Sequence, residues 1–556
     1  MSNGRLGINM GKIYKTKINR FDGGISDSPY AQIPNQCTVT RHFNIYRDRH
    51  RLLPNNSWGD NSTGQEEVSN FLFSSESHLL GLGKVSGQNW PQIYRKTIGT
   101  NWNQVAPTNF TGTTGTVDYD LFCEYNGYIF FGVTSNFGRV KADDSEAIKE
   151  NEVGGSLTYI KVRQGLIHPS TNVLYIPNYR NIATVNSSFT NSGDAAPPIG
   201  EEYEIMALAE YGNYLAIGCR ATRGNLTSKV FIWDMVSTTS WVDIIDFGDD
   251  ELQILNNLGG HLIGISQQSS FKATVFTKKN YSKATIRKWS GNTNRATVIK
   301  EIRPDENVSS VVEFEAVNRI NFIHDDRMYF GINYENSPYT QTGIFCIDKN
   351  DAVSCDIVFA AQGTGDVLAA IVVADVFWIN YNAAGTIIKQ NLNYEDTSIY
   401  ETQKFSTKGL STSKKLLGVS VQTNRFPYDS NKGSVVLKYR KDEDDTWTTI
   451  FTNTPTDVTS IVAGKKYTIC NPGTTDFTLI GAADSNSGTV FIATGVGIGT
   501  GNCIEDLMSH EAINIEATAV ALPEYKTIQF RLESLNGSEI TGLSFTEEVI
   551  NKNKYG

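Results

Sequence analysis

Three short runs hold residues whose types and spacing could do chemistry. Gly495–Gly501 reads GVGIGTG, between the apolar strand TVFIAT and NCIEDLMSHEAI (Asn502–Ile513), near which at most one helix is expected. A phosphate-cradling loop needs GxGxxG, or GxxxxGK[ST] with a lysine to meet the phosphate, and the alternating glycines here supply neither. Such a run lets backbones approach closely, which suits a flexible loop or a subunit contact. Ile323–Asp326 reads IHDD. His324, Asp325 and Asp326 are metal-ligand types, but neighbours on a strand point to opposite faces, so the expectation is a polar hairpin turn. The seven histidines and seven cysteines are scattered singly, without HExxH or CxxC. No metal, cofactor or catalytic residue is nominated, and the cysteines are expected to be buried, inert thiols.

The third run, DEDDTWTTI at Asp442–Ile450, resembles the aspartate-box hairpins of sialidase propellers. Only one copy is present, and the turn glycine of that motif is Asp445 here. The expectation is a hairpin turn with Trp447 packed inward. A sialidase-like site also needs clustered arginines and a tyrosine nucleophile with an acid partner, and such residues are dispersed along this chain. A glycoside hydrolase on a propeller is therefore the weakest of three functional readings. Glycan binding for host attachment, with Trp90, Trp102 or Trp289 as stacking platforms, is the second.

Positioning elements follow from composition and repetition. The chain has 556 residues and a formal net charge of −10. That balance argues against a protein that coats nucleic acid, which needs a basic surface to displace counterions. Hydrophobic residues at 39% can build cores, while charged residues at 19% leave a surface rich in Asn, Thr, Ser and Gly, as all-β proteins have. No apolar run approaches a bilayer span and the N-terminus has no signal-peptide pattern, so the expectation is a soluble protein made in the cytosol without membrane insertion.

One pattern recurs, a polar turn followed by a strand that often ends in glycine, starting at His78, Tyr128, Val173, Tyr214, His261, Met328 and Val376. The separations are 50, 45, 41, 47, 67 and 48 residues. A four-stranded propeller blade uses roughly 40 to 50. Single sheets cannot bury both faces, so blades stack around an axis. The fold class is therefore all-β: a β-propeller of six to eight blades over 70–400, then a C-terminal β-sandwich over 401–556 with an inserted Gly/Thr-rich subdomain near 453–525. The 67-residue interval is expected to hold an insertion or outer strand pair with a basic loop. Residues 1–69 are read as an extended arm leading into the first blade.

Within that arm, Ile18–Pro54 carries Phe21, Gly23, Gly24, Ile25, Ser26, Pro29, Gln36, Asn44 and the pair Leu53-Pro54. Gly23-Gly24 permits a left-handed turn, and the prolines stiffen an extended chain. At these positions the segment resembles the opening of tail tubular (nozzle) proteins and related propeller proteins of tailed bacteriophages, whose usual Arg-Pro-Pro ending is reduced here to Leu-Leu-Pro. The resemblance implies a virion tail protein assembled in the host cytoplasm as a homo-oligomeric ring. It would continue the channel through which DNA passes without specific binding, and carry fibres or receptor-binding proteins. It also marks the N-terminal motif as a candidate subunit contact.

Overall fold

The computed structural model describes residues 12–25, 35–41, 43–45, 50, 52–54, 56–60, 66–74, 78–85, 91–97, 103–104, 119–133, 136–141, 165–192, 195–223, 226–267, 283–302, 314–334, 343–358, 367–373, 376–381, 386–394, 397–406, 409–423, 434–453, 455–505, 513–514, 523–535 and 539–550. Among these, regular structure is almost wholly β-strand, with two short 3-10 turns and no α-helix. The chain divides into two compact units, Trp58–Gln390 and the pair Met1–Ser57 with Asn391–Gly556.

The larger unit is a β-propeller. Among the described residues its strands form seven antiparallel sheets, six of which follow one another in sequence order from Glu66–Ser74 to Val353–Val358. The seventh sheet takes Val367–Val373, Val376–Tyr381 and Thr386–Tyr394 and finishes with Asn56–Asp60, a strand from before the first blade. That strand was expected to lead into the first blade; it completes the last one.

First strands adjoin around the axis. Tyr203–Tyr211 lies beside Glu251–Leu258, which lies beside Phe314–His324 and then Val367–Val373. The last of these meets Glu66–Ser74, closing the ring, and Glu66–Ser74 adjoins Tyr119–Tyr125. Blades two and three share a core containing Phe130, Leu174, Ile176 and Val185.

The recurring sequence pattern is the hairpin between the first and second strands. Second strands start at His78, Tyr128, Val173, Tyr214, His261, Arg327 and Val376, one per blade, with the sixth a residue earlier than the pattern suggested. In blades two, five and six the turn is two residues at positive φ: Asn126 and Gly127 at 53° and 76°, Gly259 and Gly260 at 60° and 85°, Asp325 and Asp326 at 51° and 57°. Such turns match the right-handed twist of the flanking strands.

The glycine late in the second strand marks close packing. A Cβ on Gly264 would lie 2.7 Å from the Phe247 ring of the preceding blade, and one on Gly218 would lie 3.0 Å from Leu252 of the next. In the long interval, Ala284–Trp289 and Thr297–Ile302 form the expected outer strand pair. The intervening residues 268–282 lie outside the described residues.

Polar latches join successive blades. Asn333, near the end of a second strand, donates from Nδ2 to Val367 O at 2.9 Å and accepts from Val367 N at 2.8 Å. Gln267 Oε1 accepts from Ala316 N, and Arg220 bridges Glu204 of its own blade and Glu251 of the next at 2.7 and 3.4 Å. Burying backbone groups between blades is tolerable only with such partners.

The second unit brings both chain regions into two sheets. One runs Ile13–Ile18, Ile540–Val549, Lys414–Thr423, Ile513–Asn514; the other contains Cys37–Arg41, Thr397–Thr402, Ile528–Leu535, Ser434–Lys441 and Thr448–Asn453 in that order. Both sheets contribute to a single buried cluster, in which Phe530 meets Phe545 at 4.9 Å. The N-terminal segment was read as an arm; its strands instead pair within this unit, Ile13–Ile18 with Leu543–Glu548 and Cys37–Arg41 with Ile399–Thr402. The Gly/Thr-rich excursion holds a separate four-stranded sheet between Thr456 and Glu505 with its own core, including Val458, Tyr467, Phe477 and Phe491. No helix begins at Asn502. Asn502–Glu505 is a strand paired with Lys466–Asn471, and 506–512 lies outside the described residues.

Candidate functional site

The N-terminal motif is built into its own unit. Phe21 is fully buried and meets Tyr400 edge-on at 5.3 Å. Gly24 takes φ 69°, its carbonyl accepts from Cys37 N at 3.0 Å, and Gly23 N donates to Asn35 O at 3.2 Å. A Cβ on Gly23 would sit 2.7 Å from Asn35 O, so the turn requires glycine there. Ile25 bridges Cys37, Gln36 precedes that strand, and Asn44 pairs with Leu53. Ser26 and Pro29 lie outside the described residues. Phe21 and the glycine turn therefore fold into the chain's own core. Side-chain burial, which sequence does not give, decided this.

The three chemical runs become structural features. Asp442 takes φ 52°, and its Oδ1 accepts from Lys526 N and Thr527 N at 2.7 and 2.9 Å, tying the hairpin to the adjoining strand. Trp447 is only half-buried, with the Arg440 and Arg531 guanidinium groups 4.8 and 5.8 Å from its ring, so it lies on the sheet under two cations and not inside the core. His324 and Asp325 do approach, Nε2 to Oδ2 at 3.8 Å, because Asp325 leaves the strand geometry at the turn. Strand alternation was the wrong rule for a turn residue. Among the described residues no group of three metal-ligand side chains is found. In Gly495–Gly501, Gly497 packs where a Cβ would lie 2.3 Å from Val458 Cγ2, and Gly499 takes φ 123°.

Trp289 is 4% exposed, donates from Nε1 to Thr293 O and packs on Tyr211 at 5.2 Å, so it cannot act as a stacking platform. Trp90 and Trp102 lie outside the described residues. Trp233 repeats the arrangement one blade earlier, donating to Ser237 O at 2.6 Å. At that corner Asp234 Oδ1 caps Val236 N and Ser237 N; Asn186 and Asp348 do the same for their blades. This repeated Asx corner was missed in the sequence because its residue varies between Asn and Asp and its spacing drifts.

Titratable groups inside the folds are held, not poised. Burial pushes the Cys123 and Cys503 thiols up to about 12, and the six cysteines with described side chains are all buried. In the second unit Lys414 is fully buried and donates to the Lys526 carbonyl; burial lowers its pKa, with Glu547 and Asp442 opposing. Tyr525, raised by burial and by Glu547, donates to Glu547 Oε2 at 2.6 Å.

Surfaces remain. Large exposed apolar side chains concentrate in the small inserted sheet, at Val462, Leu479, Val490, Ile492, Val496 and Ile498, and on the outer edge of blade four, at Val236, Val242 and Ile244. Exposed apolar side chains that gather this way mark interaction sites.

No family model and no curated protein sequence matches the chain. Among solved structures it is similar to the WD40 β-propeller domain of Doa1, with a TM-score of 0.38 and 10% identity over 61% of this chain and 97% of that one. It is similar to the β-propeller domain of Vanderwaltozyma polyspora Nup133, with 0.39 and 9% over 60% and 97%, and to BamB from Moraxella catarrhalis, with 0.34 and 10% over 69% and 99%. At that level of likeness the propeller rests on the seven sheets themselves.

Proposed function

We propose that this chain is a non-catalytic structural subunit of a bacteriophage tail, a nozzle or tube-to-tip adaptor ring that extends the DNA channel and anchors fibres or receptor-binding proteins. The observation that carries the reading is the N-terminal segment, whose Phe21, Gly23 and Gly24 match the opening of nozzle-type proteins and are the residues its turn depends on. A propeller suits the role, since closed rings of stacked sheets are rigid and offer broad loop faces to partners. The formal charge of −10 suits it too, because an acidic surface repels phosphate and leaves DNA free to slide.

The test uses the full chain mixed with the portal-side and tip-side tail proteins of the same particle, imaged by negative-stain electron microscopy. Rings, or incorporation into tails, are expected. A chain that stays apart from every other virion protein overturns the reading.

A further inference from the structure

Polar bonds close four consecutive joints of the propeller. Ile205 N donates to Tyr179 O at 2.8 Å between blades three and four, and Arg220 meets Glu251 between four and five. Between five and six, Gln267 Oε1 accepts from Ala316 N at 3.2 Å, and Asn321 accepts from Asn256 at 2.8 Å. Between six and seven the Asn333 amide makes both of its bonds to Val367. Strand alternation explains how Asn333 reaches that partner. Tyr329 packs on Phe377 of blade seven at 5.2 Å, so Asn333, four residues further along the same strand, faces blade seven as well.

The joint of blades seven and one is built differently. Phe377 turns toward blade six, where its ring meets Phe322, His324 and Tyr329. Asn380, three residues on in the same strand, therefore faces the other way, toward Glu66–Ser74 of blade one, which adjoins this strand. Its side chain is fully buried, yet among the described residues neither Nδ2 nor Oδ1 has a partner. A buried polar group left unbonded favours any opening that lets water reach it, by roughly five- to 150-fold. On the outer side the blade is strapped. Asn56–Asp60 lies beside Thr386–Tyr394, and the chain runs on from Asp60 to Glu66, where blade one begins.

We propose that the joint of blades seven and one is the propeller's opening seam. The two blades part there in a local fluctuation that hydrates the Asn380 amide, while Asn56–Asp60 ties the ring together on its outside. Parting any of the other four joints breaks bonds already made, and parting this one breaks none at Asn380. Each blade keeps its own strand pairing, so the ring can widen at one place without unfolding a blade. The seam belongs to the fold and stands apart from the tail reading.

The test is native-state thiol labelling of the full-length chain. Ala369 is fully buried and lies opposite Asn380 across the hairpin, hence on the same face. Ala369→Cys places a thiol in the seam, and Cys219, buried where blades three and four share a core with Tyr175 and Ile182, reports global unfolding in the same molecule. With a small alkylating reagent and peptide mass spectrometry, the new thiol is expected to label at least ~10-fold faster than Cys219. Adding Asn380→Leu, which removes the unbonded amide, should slow that labelling by roughly tenfold. Labelling no faster than Cys219, or unchanged or quickened by Asn380→Leu, overturns the seam. A second measurement needs no added thiol. Asn380→Leu alone should raise the thermal midpoint by about 2 °C, whereas Asn333→Leu, which strands the Val367 peptide, should lower it. An equal fall in both would show that Asn380 is bonded in the closed ring, which also overturns the seam.

Discussion

The propeller and the second unit are both antiparallel β-structure, yet they are assembled from opposite kinds of contact. In the propeller, strands joined by tight turns pair with each other, as Tyr211 with Tyr214 and Leu258 with His261. In the second unit, Ile13 pairs with Glu548 and Arg41 with Ile399, across most of the chain. Local pairing repeats in sequence and can form blade by blade; distant pairing must close long loops first. The comparison teaches that the N-terminal segment depends on the last strands of the chain, whereas every blade but the last, which takes Asn56–Asp60, is built from one stretch of chain.

The largest expected effect tests that dependence. Phe21→Ala empties a buried site against Tyr400 and should destabilise the second unit by about 3–5 kcal/mol. Hydrogen exchange should rise in the strands Ile528–Leu535 and Ile540–Val549 while Tyr203–Ala221 stays protected. An equal loss of protection in the propeller would show one cooperative structure and break the comparison.

A smaller effect is expected inside the propeller. Gly264→Ala places a methyl 2.7 Å from the Phe247 ring, where the neighbouring blade must move, at a cost of roughly 1–3 kcal/mol. Thermal melting followed by calorimetry reads this, and an unchanged midpoint would mean that the blades are less tightly stacked than the glycine implies.

The smallest concerns acid. Burial alone would raise the Asp246 carboxyl, but Gly248 N, Thr227 and Lys229 together hold it below its ordinary 3.8. A depressed folded pKa adds stability above the unfolded value, and that stability is lost as pH falls through the folded one. Between pH 5 and 2.5 the wild type should therefore lose more urea resistance than Asp246→Asn. Equal losses would show that the blade-four edge draws nothing from this carboxylate.

Blade hairpins were legible because a two-residue turn between alternating strands leaves its mark within ten residues, as EYNGYIFFGV and NLGGHLIGIS show. The Asx corners were less so, since Asn186, Asp234 and Asp348 share a hydrogen-bonding role and not an identity. At Asn502–Glu505, the start of the span where at most one helix was expected, pairing with Lys466–Asn471 overrode local propensity. Trp447 and Trp289 exchanged their expected places, one outside and one buried, because aromatic type does not say which face of a sheet is covered.

By itself the sequence determined what is local: an all-β chain, seven hairpin markers and glycines placed for tight turns and close backbones. Only the tertiary structure decided what depends on distance. It put Asn56–Asp60 in the last blade, took the N-terminal motif into a core with the chain's final strands, and left two apolar strips uncovered. Turn chemistry is written in neighbouring residues, whereas burial depends on partners hundreds of positions away.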